Sequence, residues 1–264
     1  MTFSLHVISD LNLGYNEFST YDEDIPNVDL VVLNGNIGQI KRGMLYAHTI
    51  ANKYPTTQFV YNLGETELYL YNMEKFKGEL VKQIELRKNT ADSWPKNLHW
   101  SLDSMTINLR NGSRVDVLCT YGFPKIHSYV GDWQETHWFK HYMLDVTADD
   151  EFKLSETSNV RHGPAPIWAT KESINAHHDL ELQKVKDWEL TQTSYKILVT
   201  HVNPLKDIRT GNQVVSPYLV HLNDMLWITS NTKVSAKFLG AKLVSNPGRG
   251  HMARSVVFNI DSMS

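Results

Sequence analysis

Short runs of aliphatic and β-branched residues recur along the chain, and between them lie segments whose apolar positions fall three and four residues apart. The runs are LHVIS (5–9), DLVVLNG (29–35), TQFVYNLG (57–64), RVDVLCTYG (114–122), KILVTHV (196–202) and SVVFNI (255–260). Several are almost continuously apolar, which predicts strands covered on both faces. The helical spacing appears at Ile40, Met44, Ala47, Ala51 and Tyr54, again at Met73, Phe76, Leu80 and Ile84, and at Ile174, His178, Leu182, Val185 and Trp188. Each set predicts an amphipathic helix with one buried stripe. Strands alternating with helices make an α/β domain, and Asn111 with Gly112 predicts a tight hairpin turn between two antiparallel strands, so the sheets are mixed. Residues 124–170 break the pattern. That stretch is rich in His, Trp, Asp and Pro and reads as an irregular insertion in a single domain spanning 1–264.

Composition narrows the class. A chain of 264 residues, 41% of them hydrophobic, can bury a substantial core. A formal charge of -3 supplies no long-range field for nucleic acid or anionic membrane, so neither is the expected partner. The lone cysteine, Cys119, sits within an apolar run and is expected to be a small core residue. No basic leader precedes an apolar stretch at the N-terminus, and no run is apolar for long enough to span a bilayer. The expectation is a soluble, cytoplasmic protein.

In open α/β sheets the functional groups gather beyond the carboxyl ends of the strands. Six such ends carry polar residues: SDLNLG after the first run, NGNIG after the second, NLGETELY after the third, THVNP near 200, ITSNTK at 228–233 and SNPGRG at 245–250. Taken singly these are turn sequences. Their order and spacing resemble the calcineurin-like metallophosphoesterase family, whose signature runs D-x-H, G-D, G-N-H-E, a strand ending in T-H, G-H-x-H and N-P-x-G. The resemblance extends from Asp10 to Gly250, and includes the helix before ILVTH, which in one bacterial and viral branch carries a similar His and Trp pattern.

The resemblance implies two mixed β-sheets sandwiched by helices, in α-β-β-α order. It also implies a pair of divalent cations such as Mn, Fe or Zn, with a bridging hydroxide that attacks phosphorus. Residue by residue the ligands diverge. The first Asp is present as Asp10, but its His partner is Asn12, the bridging Asp is Asn36, and the Asn of G-N-H-E is Glu65. The following His is Thr66, the Glu beside it is Glu67, and the T-H histidine is His201. Asn231 and Lys233 stand where the G-H-x-H motif has its two histidines, and Ser230 where it has its Gly. Only His201 and Glu65 could still ligate one cation, and no cofactor is expected. Lys233 is expected to pair with Asp10, its ammonium replacing lost cationic charge. Asn12, Asn36 and Asn231 are expected to hydrogen-bond one another or water.

Plainer readings stand beside these. Asp10 is also an ordinary strand-end turn residue, His201 also a satisfied structural imidazole, and Glu67 also an acidic residue favoured near the N-terminus of a helix that starts around Leu68. Arg249 and His251 could contact an anion. His137 and His141 lie four apart, but Trp138 stands where a zinc protease helix needs Glu. Trp133, Trp138, Phe139 and Tyr142 form either a local core or a patch facing a protein partner. The sequence therefore predicts a pseudoenzyme reused as a protein-binding, adaptor or scaffolding protein, of phage or viral type. The alternatives are a residual metal-dependent phosphoesterase with a reduced or relocated site, and a nucleotide or anion sensor in the old cleft.

Overall fold

In the computed structural model, residues 3–13, 24–68, 78, 81–82, 85, 94–100, 104–122, 153–154, 161–162, 171–190, 195–201, 225–230, 236–238, 241–246 and 256–260 are described. The first sheet contains β1 (Phe3–Ile8), β2 (Leu30–Asn34), β3 (Gln58–Asn62), β4 (Leu98–Trp100) and β13 (Val256–Ile260), in the order β13-β1-β2-β3-β4. The second contains β5 (Ser104–Asn108), β6 (Arg114–Thr120), β9 (Lys196–Thr200), β10 (Leu226–Ser230), β11 (Ala236–Phe238) and β12 (Ala241–Asn246), ordered β11-β12-β10-β9-β6-β5. In both sheets the inner pairings are parallel. Antiparallel pairs occur where β13 joins β1, β5 joins β6, and β11 joins β12. A separate short ribbon, β7 (Lys153–Leu154) with β8 (Arg161–His162), falls within the expected insertion. The rest of that insertion, and Met73, Phe76, Leu80 and Ile84 of the expected helix, lie outside the described residues.

The period-two alternation of the strands produces the layering. Leu5, Val7, Leu30, Val32 and Val60 meet Val115, Val117, Cys119, Ile197, Val199, Leu226 and Ile228 between the two sheets. The intervening residues point outward. On the first sheet Ile8, Val31, Leu33, Phe59 and Tyr61 pack against Met44, Ala47, Ile50 and Ala51 of α1 (Ile40–Lys53). On the second, Leu118, Leu198 and Trp227 pack against Val185 and Trp188 of α3 (Lys171–Glu189). The order is therefore helix, sheet, sheet, helix, as expected, with strands buried on both faces and Cys119 in the central layer. Each fully buried aliphatic side chain there contributes roughly 1.5–3 kcal/mol.

Two polar contacts fasten the amino ends of these strands. The Arg110 Nε donates to Asp29 at 2.6 Å, reaching from the β5–β6 hairpin to the start of β2, while Asp29 also accepts from the Ser4 backbone and hydroxyl. Burial pushes the Asp29 carboxyl up, but the Ser4 and Arg110 hydrogen bonds together outweigh it and hold the carboxyl below its usual value. The end of α1 and the chain just past it are met by Asn97, whose amide lies within 3.1 Å of the Ala51, Tyr54 and Thr57 oxygens.

His6 is not satisfied in this way. It lies in the middle of β1, 2% exposed, and neither ring nitrogen has a hydrogen-bond partner among the described residues. Burial lowers its pKa to about 4. The unfolded chain takes up a proton near pH 6.5 while the folded one does not, so stability present at neutral pH is expected to fall as pH drops from 6.5 towards 4. Chemical denaturation across that window, compared with His6→Leu, checks this. The variant should keep its stability at neutral pH and lose much of the slope, because an apolar side chain of similar size leaves nothing unpaired.

Candidate functional site

The carboxyl ends of β1, β2, β3, β6 and β9 converge at one end of the sandwich. Past the strands, the β1 and β2 chains stay paired: Asp10 N–H donates to Gly35 O at 3.1 Å, Asn12 N–H to Asn36 O at 2.8 Å and Leu13 N–H to Ile37 O at 2.9 Å. Holding two turning loops this close forces unusual backbone. Asp10, Asn12 and Asn36 take φ values of +59°, +51° and +54°, a region that Asn and Asp tolerate and most other side chains avoid. Gly35 is at φ +74°, and a Cβ there would come within 2.3 Å of His201 Nδ1, so the imidazole is seated directly on this turn.

Four side chains close a ring over the paired loops. Asn36 Nδ2 donates to Asp10 Oδ1 at 3.0 Å, and Asn36 Oδ1 accepts the Thr66 N–H at 2.8 Å. The Thr66 hydroxyl donates to Asn12 Oδ1 at 3.1 Å, and Asn12 Nδ2 donates to the Asp10 carbonyl at 3.1 Å. The second Asp10 oxygen accepts from Ser9 Oγ at 2.9 Å. A backbone N–H can only donate, so the Thr66 contact fixes which way the Asn36 amide faces.

Beneath the ring lies Glu67, 1% exposed, on the short helix α2 (Glu65–Leu68). Its Oε1 accepts from Ile37 N at 2.7 Å, Gly38 N at 3.2 Å and Tyr61 Oη at 2.8 Å, and its Oε2 accepts from Asn36 N and Gly64 N, both at 2.9 Å. Burial raises the Glu67 pKa, with the Tyr61 hydroxyl and Gly38 N–H pulling it back, and burial beside Glu67 drives the Tyr61 hydroxyl well above its usual value. This corrects the reading of Glu67 as an acidic residue near a helix start. The helix begins three residues earlier than expected, and the carboxylate turns inward to gather the N–H groups of the neighbouring loop.

His201 follows β9 and is fully buried. Its Nδ1 lies 2.9 Å from the Asn34 carbonyl, which only accepts, so Nδ1 carries the proton. Ser230 at the end of β10 donates its hydroxyl to His201 O at 2.6 Å and sits 2.7 Å from Nδ1. The structure thus brings Asp10, Asn12, Asn36, Thr66, Glu67 and His201 onto one loop cluster. The backbone of Glu65 is at the start of α2, but its side chain is outside the described set, as are Asn231, Lys233, Arg249, His251, Trp133, Trp138, Phe139 and Tyr142.

Three groups escaped the sequence reading. Asn34 and Asn62 are register partners at the ends of β2 and β3, and their amides cross to the second sheet: Asn34 Nδ2 donates to Thr200 O at 2.9 Å, and Asn62 Nδ2 to Thr120 O at 2.9 Å and to Asn34 Oδ1 at 3.0 Å. The signal was a matching Asn closing two apolar runs. Glu181 of α3 accepts from Tyr121 N at 2.7 Å and Gly122 N at 3.0 Å, holding the end of β6; nothing in its helical spacing marks it.

A pair of divalent cations needs several carboxylates and imidazoles whose lone pairs face a common point. The described donors do not fit that requirement. Both Asp10 oxygens and the Asn36 oxygen accept hydrogen bonds, and among the described residues no group of three or more His, Cys, Asp or Glu is placed to hold a metal ion. Among these residues no helix is long and apolar enough to cross a membrane.

No family model matches the sequence, and no curated protein does. Among solved structures, one described as a 5'-nucleotidase from Staphylococcus aureus is similar at 13% identity and a TM-score of 0.42, covering 97% of this chain. The chain spans about half, 51%, of that protein's length. A dimetal phosphatase from Danio rerio is similar at 10% identity and a TM-score of 0.40, covering 92% of this chain and 86% of its own.

Proposed function

We propose that this chain is a metallophosphoesterase-like protein that has given up two-cation hydrolysis and serves as a protein-binding adaptor or scaffold, of phage or viral type. The observation that carries the reading is the closed ring of Asp10, Asn36, Thr66 and Asn12, which uses hydrogen bonds where the resembling family has metal ligands. Without paired dications there is no activated hydroxide and no charge to stabilise a phosphoryl transition state. Trp133, Trp138, Phe139 and Tyr142 are the residues assigned to the partner-facing patch.

A second reading is favoured by His201. A metal-ligating imidazole commonly donates its other N–H to a carbonyl, and Nδ1 does so to Asn34, which puts the lone pair on Nε2. His201 with Glu65 would then hold one cation in a residual phosphoesterase. The two readings separate by metal analysis of the purified chain and by hydrolysis of a phosphodiester and a phosphomonoester with added manganese. The adaptor reading expects no metal-dependent turnover. Turnover that is abolished in His201→Ala would decide for the enzyme.

A further inference from the structure

The Asp10–Asn36 contact has a fixed polarity. Thr66 N–H holds the Asn36 oxygen, so the amide nitrogen faces Asp10 Oδ1, and Ser9 supplies a donor to the other Asp10 oxygen. The contact is mostly removed from solvent, with Asp10 6% exposed. It also joins the two loops at the residues whose backbones lie in the left-handed region. A carboxylate in place of the Asn36 amide would still accept from Thr66, but its second oxygen would stand about 3.0 Å from an Asp10 oxygen with no proton between them. Two such anions in a poorly solvated site require a cation or a proton.

We propose that the Asn36 carboxamide is the cross-link that lets these strand-end loops fold without a metal cation, and that what the site requires is one amide donor facing one carboxylate acceptor, in either order. This rests on the reading that the strand-end residues no longer hold two metals. The amide nitrogen joins Asp10 to the second loop as a bridging metal would, and it does so through a hydrogen bond.

The test is thermal unfolding of the full chain, once with EDTA and once with manganese chloride, for the natural protein, Asn36→Asp and the double variant Asp10→Asn/Asn36→Asp. The double variant exchanges donor and acceptor and preserves the contacts with Ser9 and Thr66, since the amide oxygen at position 10 still accepts from Ser9 and the carboxylate at position 36 still accepts from Thr66. With EDTA, Asn36→Asp should melt roughly 5 °C or more below the natural protein, and the double variant should recover at least half of that loss. If the single variant does not fold at all, recovery of a folded, cooperatively melting double variant supports the proposal. A single variant that melts with the natural protein in EDTA overturns it, as does a double variant no better than the single one. The natural protein itself should melt at the same temperature in EDTA and in manganese. A clear stabilisation by manganese would sink the reading that two metals are no longer held, whatever the variants do.

Discussion

Glu67→Gln is expected to destabilise the protein by about 2–6 kcal/mol, lowering the melting temperature by roughly 4 °C or more. Both Glu67 oxygens are surrounded by donors alone: four backbone N–H groups and the Tyr61 hydroxyl. Glutamine offers one oxygen and must turn its NH2 towards the rest. Facing Asn36 and Gly64, the NH2 would meet two backbone N–H groups that cannot turn. Facing Ile37 and Gly38, it would meet two more, but the Tyr61 hydroxyl could rotate to accept from it. The second arrangement is therefore expected, with the Ile37 and Gly38 N–H groups left without an acceptor in a site that is 1% exposed. It follows that Tyr61→Phe should cost more in the Glu67→Gln background than alone, because only there does the hydroxyl serve as an acceptor. Urea denaturation of the four proteins measures both quantities. A Glu67→Gln loss below about 1 kcal/mol would mean that the carboxylate is not what organises these loops.

Much of the architecture was legible because a strand reports its own layering. In the runs of β2, β3, β6 and β9, alternate residues enter the central layer or face a helix, and near-continuous apolar character is the sequence form of burial on both sides. The helical stripe of α3 and the hairpin at Asn111 and Gly112 follow from equally local rules. The positions of Asp10, Asn12, Asn36, Thr66 and His201 at strand ends were also readable, since motif order along the chain fixes which loops meet. What those side chains do to one another was not. Whether Asn36 faces Asp10 with its nitrogen or its oxygen depends on Thr66 N–H, thirty residues away in sequence, and Glu67 was misread because its carboxylate is gathered by the loop after β2, also about thirty residues away. His6 was illegible for the opposite reason: a histidine inside an apolar strand gives no sign that it will find no partner.

The same dependence on distant partners makes Asn62→Asp the other large expected loss. Asn62 is 1% exposed and joins the two sheets: its amide nitrogen donates to the Thr120 carbonyl of the second sheet and to Asn34 Oδ1, while Asn34 in turn donates to the Thr200 carbonyl. Asn34 and Asn62 continue the face that Leu30, Val32 and Val60 present to the second sheet, so this amide pair caps the central apolar layer at the end nearest the candidate site. A carboxylate at position 62 would turn an oxygen towards two acceptors with no proton to share. The expected cost is about 3–5 kcal/mol at neutral pH, in the range for an uncompensated buried charge. Asn62→Leu should cost less, about 1–3 kcal/mol, since it leaves no charge and only takes a donor from Asn34 Oδ1 and the Thr120 oxygen, and an oxygen with two lone pairs tolerates that better than an N–H tolerates losing its acceptor. The pH dependence separates charge from shape. Burial would raise the folded-state pKa of the new carboxyl above its unfolded value, so its protonated form, which can donate as the amide does, favours folding. The penalty should therefore be smallest below about pH 4 and grow as pH rises through the folded-state value. Denaturation midpoints measured from acid to neutral pH, set against those of Asn62→Leu, should diverge towards neutrality. Parallel profiles for the two variants would show that the joint between the sheets depends on side-chain shape and not on the amide's proton.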